Sequence, residues 1–176
     1  MTKISPLLPV DRFLSTLKIV AREGQHLSYS WHRLYADEID QEWVTKLEFK
    51  PELAERMEAF VSRFGRMQDT IADKLLPRWL DSLAEVPGSQ IEVLNRAERL
   101  DVITDVEKWL EARKLRNRLV HEYMDDAAKF AEDLNLAKGY SRLLCETYNN
   151  VREFAQTRMN LDASDLPASL SELQDG

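Results

Sequence analysis

Apolar residues recur every three or four positions through most of this chain, and this spacing limits the fold more than any other feature of the sequence. Such spacing puts an apolar stripe along one face of an α-helix, and no competing strand-like alternation is seen. Long stripes run over about 9–35, 51–86, 104–123 and 126–159. We therefore predict an all-α fold, an antiparallel up-and-down helical bundle of four long helices with additional short ones.

Residues typical of helix starts divide the chain between these stripes. Ser89 followed by Glu92, and Thr104 followed by Glu107, have the spacing of a capping box, in which two side chains satisfy free amides at a helix start. The first pair predicts a short helix to about residue 100, and the second predicts a longer helix ending near residue 123. Asp126 is expected to cap the last long helix.

Two residues interrupt the stripes without ending them. Gly24 is expected to bend the first helix, and Pro77 to kink the second. We predict a single helical domain over residues 1–160, because no linker or repeat divides them. Residues 161–176 are acidic and poor in large apolar side chains, and we expect a flexible tail there.

Composition excludes several classes of protein. The net charge of −7 argues against a surface that coats nucleic acid, although a local basic patch is still compatible with it. The single cysteine, Cys145, excludes an intrachain disulfide and a cysteine-built zinc cluster. No apolar run is long enough for a secretory signal or a membrane span. We expect a cytoplasmic protein without a membrane, metal or cofactor.

One stretch near the end of the third long stripe carries recognisable chemistry. It contains Arg116, Asn117, His121 and Tyr123, and further cations at Arg113, Lys114 and Arg118. An arginine fork matches phosphate oxygens, and a histidine moves protons near neutral pH. Such a set suits RNA cleavage, in which the 2′-hydroxyl attacks its own phosphate without a metal. Taken singly, the three flanking cations fit a solvated face near a helix C-terminus better, because cations are favoured there in any case.

A helical wheel of this stretch predicts which residues are buried. One arc should face the core, and Arg116 and Tyr123 fall inside it, where a charge needs a partner. Its apolar members are Trp109, Ala112, Leu115, Leu119 and Val120. A second apolar strip shares the His121 side and predicts contact with another chain; its members are Ile103, Val106 and Leu110.

Residues Arg116-Asn-Arg-Leu-Val-His121-Glu-Tyr123 resemble the R-x-x-x-x-H-x-Y motif of HEPN-domain proteins, specifically the HepT-like toxins. The resemblance covers about residues 90–155. It implies an up-and-down bundle and a homodimer whose two motifs line a shared cleft. It also implies metal-independent endoribonuclease activity, with Arg116 and His121 as catalytic residues. The side chains that contact RNA or orient the site are then Asn117, Arg113, Lys114, Arg118 and Tyr123.

The same resemblance implies a protein partner. HepT-like toxins usually pair with a minimal nucleotidyltransferase antitoxin, which in some systems adds AMP to the motif tyrosine, here Tyr123. Two alternatives stay open. The chain is a non-catalytic adaptor for a nucleotidyltransferase, or it is a helical oligomer in which Arg116 pairs with a buried carboxylate.

Overall fold

The computed structural model describes residues 8–121 and 125–175, with His121 described by its backbone alone. These residues form helices and no β-strand, so the all-α prediction is confirmed. A π-helical turn over Ile71–Leu75 joins the third and fourth helices. The helices are α1 (Pro9–Leu34), α2 (Gln41–Lys46), α3 (Pro51–Thr70), α4 (Leu76–Ser82), α5 (Gln90–Arg99), α6 (Val106–His121) and α7 (Ala127–Thr157).

Helix α1 runs antiparallel to α3 and α4, as two hydrogen bonds between their side chains show. Near the end of α1, Ser30 Oγ accepts from Arg63 Nη1 of α3 at 2.7 Å. Near its start, Thr16 Oγ1 accepts from Arg78 Nη1 of α4, also at 2.7 Å. Residue numbers therefore rise along α1 while they fall along the facing helices, and this arrangement buries the apolar stripes of all three.

Helix α6 runs antiparallel to α7. Trp109 Nε1 donates to Thr147 Oγ1 at 3.1 Å near the start of α6. Near its end, Arg118 Nη2 lies 3.2 Å from Asp133 Oδ1, close to the start of α7. Gln68 Nε2 of α3 donates to the Ala112 carbonyl at 3.0 Å and holds the other side of α6. Helix α6 is thus fixed between α3 and α7.

The long stripe over 51–86 contains a wider turn just before Pro77. The Leu76 amide donates to the Ile71 carbonyl, five residues back, instead of the usual four. A proline inside an α-helix lacks a hydrogen-bond donor, and its ring collides with the carbonyl four residues back, here that of Asp73. Asp73 lies within the π-helical turn, and the wider turn makes room for the proline ring beside the Asp73 carbonyl.

The predicted helix starts agree with the structure at α5 and α7 and differ at α6. Ser89 and Glu92 form the expected capping box of α5, and Asp126 caps α7. Helix α6 begins at Val106, and the Asp105 carboxylate accepts the Glu107 amide at 2.9 Å. Capping therefore acts one residue later than the Thr104 pattern predicts.

The acidic residues expected to form a flexible tail are structured over 161–175. Leu166 and Leu173 are buried, and the backbone of this segment accepts hydrogen bonds from side chains of α7. Composition suggested flexibility because large apolar residues are few. Widely spaced leucines and paired backbone carbonyls nevertheless hold an extended segment to a helical surface.

Candidate functional site

An open groove of about 660 Å³ lies between α3 and α6. Helix α6 lines it with Arg116, Leu119 and Val120. The opposite wall comes from α3 and the π-helical turn, and its polar members are Glu58, Ser62, Arg66, Asp69, Thr70, Asp73 and Lys74. The groove therefore carries both charge signs at one end and apolar side chains near the end of α6.

Arg116 lies across α3, and Asp69 holds it there. Arg116 Nη2 donates to Asp69 Oδ2 at 2.9 Å, and Nη1 lies 3.4 Å from its hydrogen-bond acceptor, Asn117 Oδ1. Its Nε is buried and has no hydrogen-bond partner among the described residues. A Cβ on Gly65 would lie 3.2 Å from this Nε, so the absence of a side chain at Gly65 lets the guanidinium approach the helix.

Arg113 joins the same charge cluster one turn earlier on α6. Its guanidinium nitrogens lie 3.8 Å from Asp69 Oδ1 and 3.6 Å from Asp73 Oδ1. Gln90 Nε2 also donates to Asp73 Oδ1, at 3.1 Å. Asp69 therefore contacts both arginines and Asp73 contacts Arg113, and an anion entering the groove meets the Arg116 guanidinium already held in position.

The structure does not bring the whole predicted set of cations together. Lys114 is exposed and lies 3.6 Å from Glu111 on its own helix. Arg118 contacts Asp133 of α7 through two nitrogens, at 3.3 and 3.2 Å, and the Asp133 side chain is only 1% exposed. Arg118 thus faces away from the groove, and this pair links α6 to α7.

Two central residues of the motif fall at the edge of the described structure. His121 is the last residue of α6, and its side chain lies outside the described residues. Tyr123 also lies outside them. The backbone puts His121 five residues after Arg116, about 7.5 Å further along the helix axis.

Sequence analysis missed the α3 half of the site. Arg66 and Lys74 line the groove, are exposed, and form no ion pair with another described residue. Asp69 and Asp73 lie between them on the same helical face. Positions 66, 69 and 73 have the three-four spacing of one helix face, so the sequence does contain a pattern for this charged wall. The apolar stripe of α3 is the stronger pattern in the same segment and hides it.

A half-buried carboxyl group lies behind this wall. Thr70 Oγ1 donates to Glu23 Oε2 of α1 at 2.9 Å. Burial raises the pKa of Glu23, against the opposing effect of this hydrogen bond and of the nearby Arg66 and Lys74 charges. Glu23 therefore lies behind the rim formed by Arg66, Thr70 and Lys74, on the neighbouring helix.

The apolar predictions for α6 need two corrections. Val120, predicted to be in the core, is 53% exposed at the groove. The strip expected to meet a second chain packs within this one: Ile103 is buried, and Val106 and Leu110 are partly buried against the core. The wheel correctly gave α6 two apolar strips but assigned the second to another chain, whereas both strips pack within this chain, where α6 is held between α3 and α7.

Among the described residues, no group of three or more His, Cys, Asp or Glu side chains is arranged to hold a metal ion. None of the described helices combines the length and apolar character needed to cross a membrane. Comparison with protein-family models, curated proteins and solved structures found no match for this chain.

Proposed function

We propose that this chain is a HEPN-like, metal-independent endoribonuclease, the toxin of a toxin–antitoxin pair. The observation that carries the proposal is the Arg116 guanidinium, which Asp69 holds at 2.9 Å on the wall of an open groove, one and a half turns before His121. Its side chain is 34% exposed, so an anion in the groove can reach it. Nearby Arg66 and Lys74, which form no ion pair with another described residue, supply cations for a polyanion.

The proposed reaction needs only groups that the chain and the RNA supply. The 2′-oxygen of the RNA attacks the adjacent phosphorus, and the bond from phosphorus to the 5′-oxygen of the next nucleotide breaks. The products are a 2′,3′-cyclic phosphate and a free 5′-hydroxyl. His121 accepts the proton of the attacking hydroxyl or donates one to the leaving oxygen. Arg116 neutralises the charge that develops on the phosphate oxygens.

Two further parts of the proposal concern assembly. A homodimer would bring two motifs to one cleft, and exposed Val120 beside partly buried Val61 offers an apolar contact at the groove edge. A minimal nucleotidyltransferase antitoxin is the proposed protein partner, with Tyr123 as its modification site. A dimer cleft would bring the groove cations of two chains close together, which raises the local concentration of positive charge.

The test is incubation of purified protein with a labelled structured RNA in EDTA. Wild type is expected to cleave, and Arg116→Ala and His121→Ala are expected to lose cleavage by at least about a hundredfold, the usual contribution of a general acid or base. His26→Ala is the matched control, because His26 is exposed on α1 and outside the groove. Equal cleavage by all four proteins would refute the assignment.

A second candidate function is supported by the carboxylates of the groove. Asp69 and Asp73 pair with Arg113 and Arg116, and these contacts are equally compatible with a purely structural role of the two arginines. The chain would then be a non-catalytic adaptor that binds a nucleotidyltransferase. A stable complex with such an enzyme, together with intact RNA at high protein concentration, would select this candidate.

A further inference from the structure

Residues 161–175, called the strap below, lie along α7 in the opposite direction. Arg152 Nε donates to the Pro167 carbonyl at 2.6 Å, and Arg142 Nε donates to the Leu173 carbonyl at 2.9 Å. Arg142 and Arg152 are ten positions apart on α7, about 15 Å along the helix axis. Pro167 and Leu173, which face them, are six positions apart. Six residues cover about 9 Å in an α-helix and at most about 20–22 Å in an extended chain, so this part of the strap is more extended than a helix.

The contacts from α7 are made to the main chain of the strap. Tyr148 Oη donates to the Ala168 carbonyl at 2.7 Å. Asn149 binds Leu170 twice: its Nδ2 donates to the Leu170 carbonyl at 2.9 Å, and its Oδ1 accepts the Leu170 amide at 2.8 Å. Main-chain groups are the same in every residue except proline. These contacts thus recognise an extended backbone rather than particular side chains.

Four leucines of the strap contact the core: Leu161 lies beside the end of α7, and the other three lie further along the strap. Leu166 and Leu173 are buried, at 8% and 1% exposure, and Leu170 is partly buried. Leu170 lies on Gly24 of α1, where a Cβ would be only 2.4 Å from Leu170 Cδ1. Gly24, expected from the sequence to bend α1, provides the close contact surface for a strap leucine.

The two surfaces also have complementary charge. The acidic residues of the strap are Asp162, Asp165, Glu172 and Asp175, whereas α7 presents Lys138, Arg142 and Arg152. Lys138 Nζ lies 2.7 Å from Asp175 Oδ1 and about 5.5 Å from the ring centres of Trp31 and Tyr35. The face formed by α1 and α7 therefore favours a negative charge opposite Lys138.

The strap is separable from the helix that precedes it. Asn160 has a φ of +55°, the left-handed conformation in which a helix commonly ends. The last turn of α7 is closed by its own backbone, since the Arg158 and Met159 amides donate to the Phe154 carbonyl. The Leu161 amide also closes this turn by donating to the Ala155 carbonyl at 3.1 Å. Release of residues 162–175 from the face of α1 and α7 therefore leaves these hydrogen bonds of α7 intact.

From these contacts we propose that the face formed by α1 and α7 is a peptide-binding groove. Its ligand is an extended acidic segment of a partner protein, with leucines spaced four and then three residues apart, and the strap occupies the groove until that segment displaces it. The bound strap shows which features this face accepts: main-chain groups that hydrogen-bond to α7, leucines that pack against the core, and a negative charge opposite Lys138. This proposal is independent of RNA cleavage, because the groove of α3 and α6 shares none of these residues.

The test uses the full chain with its own strap disabled. The acceptor is the variant Leu166→Ser, Leu170→Ser, Leu173→Ser, and the probe is a fluorescently labelled synthetic peptide of residues 161–176. Anisotropy is expected to show saturable one-to-one binding, at least about tenfold tighter than to wild type, where the tethered strap competes at a high effective concentration. A peptide with the same three serines should not bind, and adding Gly24→Val to the acceptor should abolish binding of the probe.

Three results would overturn the proposal. A folded acceptor that does not bind the probe would show that the face holds no peptide in trans. Equal binding to acceptor and wild type would place the peptide elsewhere on the chain. A triple variant that has lost its helical circular dichroism would show that the strap is an integral part of the core and not an exchangeable ligand.

Discussion

Single positions in this chain decide how closely its helices and side chains approach. Gly65 is the clearest case for the candidate site, because a Cβ there would press on Arg116 Nε at 3.2 Å. Gly139 of α7 is its opposite, since a Cβ there meets no other atom within 4 Å. The same change at the two positions therefore separates an effect on the site from an effect on helix stability.

Gly65→Ala is expected to lower RNA cleavage by roughly tenfold to a hundredfold, because a small displacement of a catalytic group has a large effect on rate. Gly139→Ala should leave cleavage unchanged and stabilise the fold by up to about 1 kcal/mol through helix propensity. Cleavage rates and urea denaturation curves of both variants provide the test. Unchanged cleavage by a folded Gly65→Ala would argue that the position of Arg116 has no bearing on activity.

Two buried groups of α7 should make the fold sensitive to alkali. Burial raises the pKa of the Cys145 thiol to about 11 and that of Tyr148 to about 12, from ordinary values of 9.0 and 10.0. The folded chain therefore holds these protons more tightly than the unfolded chain does. Their contribution to stability is complete below pH 9 and is lost as the pH rises through 11 and 12.

The measurement is the free energy of unfolding in urea from pH 7 to pH 11. Wild type should be level to about pH 9 and should then lose stability. Cys145→Ala should lose less stability between pH 9 and 11, because its thiol no longer titrates. A profile identical to that of wild type would show that the thiol does not contribute.

At the scale of whole elements, helix α6 is held by different chemistry on its two sides. The α7 side is anchored by Arg118 and the buried Asp133, and the α3 side by Gln68 and the arginines of the groove. Burial makes the first pair sensitive to the loss of one partner, since a carboxylate without a counter-charge is costly inside a protein.

Arg118→Ala is expected to destabilise the fold by about 3–5 kcal/mol. Replacing Arg118 and Asp133 together by leucine should recover most of this loss, because no charge is left buried. Lys114→Ala is the matched control on the same helix, and its exposed pair with Glu111 should contribute less than about 1 kcal/mol. Urea denaturation of the four proteins decides the matter; similar losses for Arg118→Ala and Lys114→Ala would contradict the account.

The elements were largely predictable from the sequence because their signals are local. Apolar spacing and the caps at Ser89 and Asp126 depend on residues close in the chain. The partner of Arg116 was not predictable, because Asp69 is 47 residues away and no local pattern links the two. The strap was missed for the same reason: Leu170 is held by Gly24 and Asn149, distant residues that composition does not reveal.

At the scale of the molecule, the proposed RNA binding would have to overcome a net charge of −7. The rim cations Arg66 and Lys74 form no ion pair within the part of the chain that the structure describes, and each is expected to strengthen binding through the phosphate it contacts. In the cleavage-deficient His121→Ala background, replacing both by alanine should weaken RNA binding for every sequence tested. The slope of log affinity against log salt should fall by about 0.7 for each lost contact with a single strand.

Lys18→Ala in the same background is the control, because Lys18 is an exposed residue of α1 that does not line the groove. Filter binding or anisotropy over a range of salt concentrations gives the slopes. If the double rim variant and Lys18→Ala change the slope equally, RNA does not follow the α3 rim.

The π-helical turn before Pro77 also limits how the length of this chain can vary. It amounts to one residue inserted into an otherwise continuous α-helix, and removing that residue would rotate one half against the other by about 100°. Residues 51–70 hold Asp69 and Gly65 toward α6, while Trp79 beyond the turn packs edge-on against Phe154 of α7 at 5.1 Å. Only the present length lets both halves make these contacts. Deletion of a single residue between 71 and 75 should therefore disrupt either the contacts of Asp69 and Gly65 with Arg116 or the packing of Trp79 against Phe154.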